Sequence, residues 1–314
     1  MATASAEVVR VPPAQSRRER SLWGDALERL RRNRAAMVGL AVVILFALIA
    51  IFAPLLAPYD PVVGNTAKHE LDPVFGDPRY RDPAHLLGTD QLGRDILSRL
   101  IYSARVSLII GFVPITLILL IGVTVGLLAG FFGGWLDNFL MRIVDVVYAF
   151  PDLLFVITIV TAARGTAIGD VANGLVLIFI SIAIVSWVGM ARLVRGQVLT
   201  LKEREFVEAG RAVGGSNRHL ILRHILPNTM APIIVAAAFG VPGAMLTEST
   251  LSFLGIGIKP PTPTWGVMIN EGFTVVLQSP WPVLLPALCI SIVMLGFTFL
   301  GDGLRDALDP RQRS

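Results

Sequence analysis

The chain has 314 residues, 54% of them hydrophobic and only 16% charged, with a formal net charge of +4. That balance excludes an ordinary soluble domain, because the apolar residues gather in runs of bilayer length. The single cysteine, Cys289, excludes an internal disulfide and a cysteine-based metal cluster, and reads as a small packed hydrophobe.

Residues 1–34 form a polar, basic arm. Over 19–34, Leu22, Trp23, Ala26, Leu27 and Leu30 recur at helical spacing among five arginines. The pattern fits an interfacial helix on an anionic leaflet with Trp23 at headgroup level, and equally a solvated arm. A cleaved signal peptide fits less well, since both the charged preamble and the next apolar run are too long.

Six apolar runs follow, at about 35–56, 108–132, 143–163, 174–191, 229–247 and 282–301. Each can cross roughly 30 Å of hydrocarbon as a helix, the backbone form that satisfies its own hydrogen bonds in lipid. The predicted fold is an all-α membrane protein with six transmembrane helices. Of the 27 lysines and arginines, 19 fall on the side that holds both termini and the loops after the second and fourth runs. The other side has 8. The positive-inside rule then places both termini and the 195–228 loop in the cytoplasm.

The extracytoplasmic segment 57–107 is long for a loop, so structure is expected within it. Its first half is turn-rich, with Pro58, Pro61, Pro73, Pro78 and Pro83. Its second half reads as a turn and an amphipathic helix, with Ile96, Leu97, Leu100 and Ile101 facing the outer membrane surface. In the second run, Gly122, Gly126 and Gly130 put small residues on one face, for close helix approach or, as the lesser reading, a pore groove. In the third, Asp145 and Asp152 are seven residues apart and roughly share a face. Asp145 starts near the surface, solvated or paired with Arg142. Asp152, after the kink-prone Pro151, is a candidate for an aqueous translocation pathway. The fifth run carries Pro232, Gly240, Pro242 and Gly243, which suit a gating element or a merely kinked helix. Glu248 and Ser249, near its outer end, are further pathway candidates.

Residues 202–228 are a cation-rich island between two apolar runs. The expected form is a helix over 203–213, a break at Gly214 and Gly215, and a second helix capped by Ser216 or Asn217 that stops before Pro227. A soluble-looking elbow here suggests a docking handle for a motor protein.

No phosphate-binding Gly-x-x-x-x-Gly-Lys loop exists, since none of Lys68, Lys202 and Lys259 follows a glycine. His69, His85, His219 and His224 have no metal-ligand spacing, and no Ser/His/Asp arrangement suggests a nucleophile. The chain alone is not expected to be an enzyme or to bind metal or cofactor. Membrane lipid is an expected partner, nucleic acid is not.

The elbow resembles the cytoplasmic coupling loop of bacterial ABC-importer permeases, whose pattern is Glu-Ala-Ala, three residues, Gly, nine residues, Ile-x-Leu-Pro. Here it reads Glu208-Ala209-Gly210, Gly214, then His224-Ile225-Leu226-Pro227. Gly210 stands for the second alanine and His224 for the isoleucine. Three more blocks, 87–95, 251–266 and 301–310, resemble the dipeptide/oligopeptide permease family and its "C"-type subunit, so the likeness runs from about residue 35 to the end.

The resemblance implies a type I importer permease fold for 35–314, with loops at 57–107, 195–228 and 254–281. It also implies a homologous "B"-type permease, one or two cytoplasmic ATPase subunits that bind ATP and Mg, an extracytoplasmic binding protein, and a bacterial or archaeal plasma (inner) membrane. Within the elbow, Gly214 would allow the bend, Glu208 would anchor, and Arg211 and Arg218 would reach acidic partners, with Gly215, Ser216, Leu226 and Pro227 completing the handle. Asp90, Arg94, Asp95 and Trp265, in the outer blocks, would touch the partner permease or binding protein. Nickel complexes or glutathione are alternative cargoes. An autonomous secondary transporter or channel is the alternative of another class, disfavoured because no inverted repeat is evident.

Overall fold

The computed structural model describes residues 22–309, apart from positions 69, 75, 78, 81 and 168. The arm before Leu22, the Trp23 side chain, the turn at Pro78 and the last five residues lie outside the described residues.

Helix α1 (Leu22–Arg32) meets α2 (Arg34–Ile51) at Asn33, whose side-chain oxygen accepts from the Ala36 amide at 3.1 Å and starts the second helix. Leu30 of α1 lies near Gly303 at the far end of the chain, and Ala26 is buried, so α1 braces the bundle. The short α3 (Ala53–Leu56) has Pro54 in its first turn, where a missing N–H is harmless.

The following segment ends at Asp95, which caps α4 (Ile96–Phe132) by accepting from the Ser98 amide at 2.8 Å. The separate surface helix expected over 96–107 does not exist. Its residues are the first turns of the 37-residue α4, and Ile96 and Leu100 are buried in the core. Nothing between Ser107 and Leu108 breaks a helix, so the amphipathic and apolar stretches run on as one rod of about 55 Å.

The third apolar run is not one straight helix. It forms α5 (Gly134–Tyr148) and α6 (Asp152–Ala163), bent by 82°. Pro151 has no N–H to give and pushes its predecessor out of helical backbone, so the chain turns there. Asp145 and Asp152 therefore do not share a helix face.

Helix α7 (Leu175–Leu201) outruns its apolar core by ten residues. The charges in that extension have partners. Arg192 meets Asp145 at 2.7 Å, Arg195 grips Asp137 at 2.6 and 2.7 Å, and Lys202 donates to the Gly130 carbonyl at 3.2 Å. After the elbow, with α8 (Glu205–Ala212) and α9 (Asn217–His219), a six-residue π-helical turn (Leu220–Ile225) leads without a break into α10 (Leu226–Phe253). The expected stop before Pro227 is thus overturned. The wider turn absorbs the missing N–H, and the Asn228 side-chain amide satisfies the His224 carbonyl at 2.6 Å. Pro232 and Pro242 are likewise held inside one continuous α10. Helices α11 (Trp265–Phe273) and α12 (Trp281–Leu308) complete the chain.

Among the described residues there is no strand, and five helices are long and apolar enough to cross a membrane, or six if the bent pair counts as one. Glycine sets the tightest contacts. A Cβ on Gly122, Gly126 or Gly130 would stand 2.7 Å from Met190, 2.6 Å from the Ala191 carbonyl and 2.7 Å from Val198, respectively. The stripe therefore seats α4 on α7. Gly39 and Gly296 do the same between α2 and α12.

Candidate coupling and translocation site

At one end of the bundle α8 lies across the π turn. Val207, Leu220 and Ile225 are fully buried beneath it, while Glu208, Ala209, Arg211, Gly214, Ser216, Arg218 and Pro227 face out. Gly210, Gly215 and Leu226 are half-buried. Gly214 has φ +83°, and the Gly215 amide reaches the Gly210 carbonyl at 3.0 Å, closing α8. Ser216 then caps the next helix by accepting from the His219 amide at 3.3 Å. The elbow is folded around its own small core, and Val213 at 87% exposed is an apolar tip on a charged surface.

Its two departures from the coupling-loop pattern face each other. A Cβ on Gly210 would sit 2.9 Å from Leu220 Cδ2 and 3.5 Å from His224 Nε2. Leu220 therefore occupies the space that an alanine methyl at 210 would need, and the His224 ring lies beside it at ordinary van der Waals distance.

At the opposite end, the residues expected to touch other chains are used internally. Asp95 caps α4 and holds His85 Nδ1 at 3.0 Å. Trp265 is fully buried, donating to the Leu100 carbonyl at 3.2 Å with its ring edge-on to Phe46. Asp90 binds Arg94 Nε at 2.7 Å and also Arg99, and Arg94 reaches Glu271 of α11 at 2.7 Å. Asp90, Arg94 and Arg99 are buried, and Glu271 is partly exposed. Asp90, Arg94, Asp95 and Trp265 are all buried within this chain.

The pathway candidates separate. Glu248 is fully buried, accepting from Ser252 Oγ at 2.7 Å and Thr264 Oγ1 at 2.9 Å, with the half-buried Ser249 at 3.5 Å. It reaches no solvent and ties α10 to the cap of α11. Asp152 is exposed in the first turn of α6. Asp145 pairs with Arg192 of α7 rather than Arg142, and Arg192 also covers the Tyr148 ring at 4.0 Å.

Between α4, α7 and α10 runs an open groove of about 430 Å³, lined by Ile115, Ile118, Ser186, Gly189, Gly243 and Thr247 among others. A Cβ on Gly189 or Gly243 would meet nothing within 4 Å. Sequence reasoning missed this groove. Its signal was two helix-interior glycines outside any small-residue repeat.

Residues 122–314 match the family described as "Binding-protein-dependent transport system inner membrane component", and 21–73 match "N-terminal TM domain of oligopeptide transport permease C". The chain belongs to this permease family. The permease is 42% identical over 305 residues to the dipeptide transport system permease protein DppC of Alkalihalophilus pseudofirmus, covering 96% of this chain and 94% of that one. It is 42% identical over 298 residues to the oligopeptide transport system permease protein OppC of Bacillus subtilis, covering 95% and 92%. The glutathione transport system permease protein GsiD of Pectobacterium atrosepticum is 38% identical over 305 residues, covering 97% and 96%.

Among solved structures, the MetNI methionine ABC transporter in inward-facing conformations overlays with a TM-score of 0.55 at 16% identity, covering 68% of the permease and 98% of that chain. That likeness gives the permease a type I ABC-importer fold. The elbow and the α7 and α10 walls of the groove lie within the 122–314 match, whereas α1, α2 and α3 lie within the 21–73 match. The permease is a multi-pass inner-membrane protein, and its curated relatives are transport-system permease proteins.

Proposed function

We propose that this permease forms half of the translocation pathway of an ATP-driven importer of dipeptides or oligopeptides. The observation that carries the reading is the elbow: a folded, charged, outward-facing lever continuous with α10, one wall of the groove. Both termini and the elbow lie in the cytoplasm, in keeping with the lysine and arginine asymmetry. The elbow sits in a cleft of one of one or two ATPase subunits, which bind ATP and Mg. Glu208, Arg211 and Arg218 make charge-assisted bonds there. A homologous "B"-type permease closes the other side of the groove, and an extracytoplasmic binding protein delivers substrate.

ATP-driven closure of the ATPases moves the elbow as a unit because its core of Val207, Leu220 and Ile225 is packed and its far end is α10 itself. The state whose elbow positions match the closed ATPases is then favoured. The open faces of Gly189 and Gly243 leave room for a peptide backbone, with no charged group in the groove lining to select side chains.

The test is uptake by proteoliposomes holding the complete transporter, with labelled di-, tri- and pentapeptides. ATP-dependent uptake is expected, and Glu208→Ala or Gly214→Val should cut substrate-stimulated ATP hydrolysis at least tenfold. Normal coupling in both variants would sink the role of the elbow. The 38% identity to a glutathione permease over 97% of this chain favours glutathione as a second cargo. Competition by unlabelled glutathione against a labelled dipeptide decides between them.

A further inference from the structure

We infer that Arg99 and Glu271 are positioning residues for transport, forming a latch that holds the 57–95 segment against α11 and opens in each cycle. The inference rests on the importer reading above.

The latch joins three parts of the chain. Asp90 and Arg94 belong to the segment before α4, Arg99 to the first turns of α4, and Glu271 to α11. Glu271 Oε2 takes Arg94 Nη2 and Arg99 Nη1, each at 2.7 Å, while Asp90 Oδ2 takes Arg94 Nε at 2.7 Å and the same Arg99 Nη1. Three flanking bonds close the seam: Gln91 donates to the Glu271 carbonyl at 3.1 Å and to Thr274, and Ser279 donates to Asp72 at 3.0 Å.

Three features mark this as a junction that opens rather than a fixed core pair. Arg99 concentrates both carboxylates on one nitrogen, leaving buried Nε and Nη2 with no hydrogen-bond partner among the described residues. Those two atoms form one edge of a rigid five-donor fork, so this arrangement is not the best that side chain can find. Glu271 is the one half-released member, its side chain 26% exposed against 8% or less for the other three. A cavity of about 160 Å³ lined by all four residues gives the side chains room to part.

The latch also reaches the pathway through a short chain of bonds. Thr264 caps α11 by accepting from the Val267 amide at 3.1 Å, and its hydroxyl donates to Glu248 of α10 at 2.9 Å. Glu248 follows Thr247, which lines the groove. Displacing α11 therefore pulls on the groove wall. Closed, the latch fixes α11 and that end of α10. Open, it frees them to move with the elbow.

The experiment uses the complete transporter in proteoliposomes, with Cys289→Ser as parent and the pair Gln91→Cys and Thr274→Cys added. A short bis-methanethiosulfonate linker joins the two thiols as mixed disulfides and dithiothreitol removes it. Linked complex is expected to lose at least tenfold in ATP-driven dipeptide uptake, to recover on reduction, and to keep its unstimulated ATP hydrolysis within twofold. Glu271→Gln, which weakens the latch without linking it, is expected to raise ATP hydrolysis in the absence of substrate at least threefold. Uptake undiminished by the linker, no linkage in the resting complex, or unchanged hydrolysis in Glu271→Gln would each overturn the latch. Absence of ATP-driven uptake in the parent would instead overturn the importer reading.

Discussion

Gly210 and His224 carry the clearest lesson of the single side chain. Each looks like a departure from the coupling-loop pattern when read alone, yet they lie side by side over Leu220, whose Cδ2 leaves no room for a methyl group at 210. Glu248 is similar: a carboxylate near the outer end of an apolar run suggests a pathway, but its hydroxyl partners at 2.7 and 2.9 Å make it a tie between α10 and α11. In the 57–95 segment, exposed pairs set the response to acid. The Arg79 hydrogen bond pulls Asp77 down to about 2 from the ordinary 3.8, and the Lys68 hydrogen bond lowers Asp82 while Lys68 is raised. A depressed carboxylate stabilises the fold above its ordinary value and loses that contribution as pH falls toward the folded value. A raised lysine stabilises below its ordinary value, so the Lys68–Asp82 pair is intact across neutral pH. Hydrogen-exchange protection over 66–84 is therefore expected to stay flat from about pH 8 to about pH 5 and to fall only below about pH 4.

Elements are shaped by what their neighbours allow. The glycines of α4 and those of the groove look alike in sequence and differ in surroundings. Gly126→Ala would drive a methyl group to 2.6 Å from the Ala191 carbonyl, a backbone atom that cannot turn aside. The expected cost is about 1–3 kcal/mol, read as a lower thermal midpoint of the purified complex. Gly189→Ala meets open space and removes a helix-interior glycine, so stability should hold or rise by up to about 1 kcal/mol. Equal destabilisation by both would contradict the assigned packing. The same logic explains α4, whose amphipathic start is apolar toward the core, and α10, whose prolines survive because the π turn and tertiary packing absorb them.

Across the whole molecule, the bent pair α5–α6 is the part least enclosed by the rest. Phe139, Val146, Tyr148, Phe150 and Leu154 are all about half exposed or more, and Trp135 is 77% exposed. Its main polar ties to the bundle are Asp137 to Arg195 and Asp145 to Arg192. Asp137 is the more enclosed acid, 13% exposed against 59% for Asp145, so the two ties are unequal. Asp137→Ala is expected to cost about 2 kcal/mol. Hydrogen exchange should quicken over 134–163 while 96–132 keeps its protection. Uniform loss across both would mean that the pair supports the entire bundle.

Sequence alone determined the features that are local in origin: the apolar runs, the elbow with its Gly214 hinge and Ser216 cap, the glycine stripe of α4, and the blocks that carry the family. Each rests on periodicity, composition or backbone preference within a few turns of chain. Tertiary structure decided where α4 begins, that the third run bends by 82°, and that Asp90, Arg94 and Trp265 lie inside. It also paired Arg94 with Glu271, 177 residues away, and left Gly189 and Gly243 facing open space. Burial and ion pairing depend on which distant helix arrives alongside. No pattern within one segment contains that information, and so the elbow could be read from the chain whereas the buried ion-pair cluster and the groove could not.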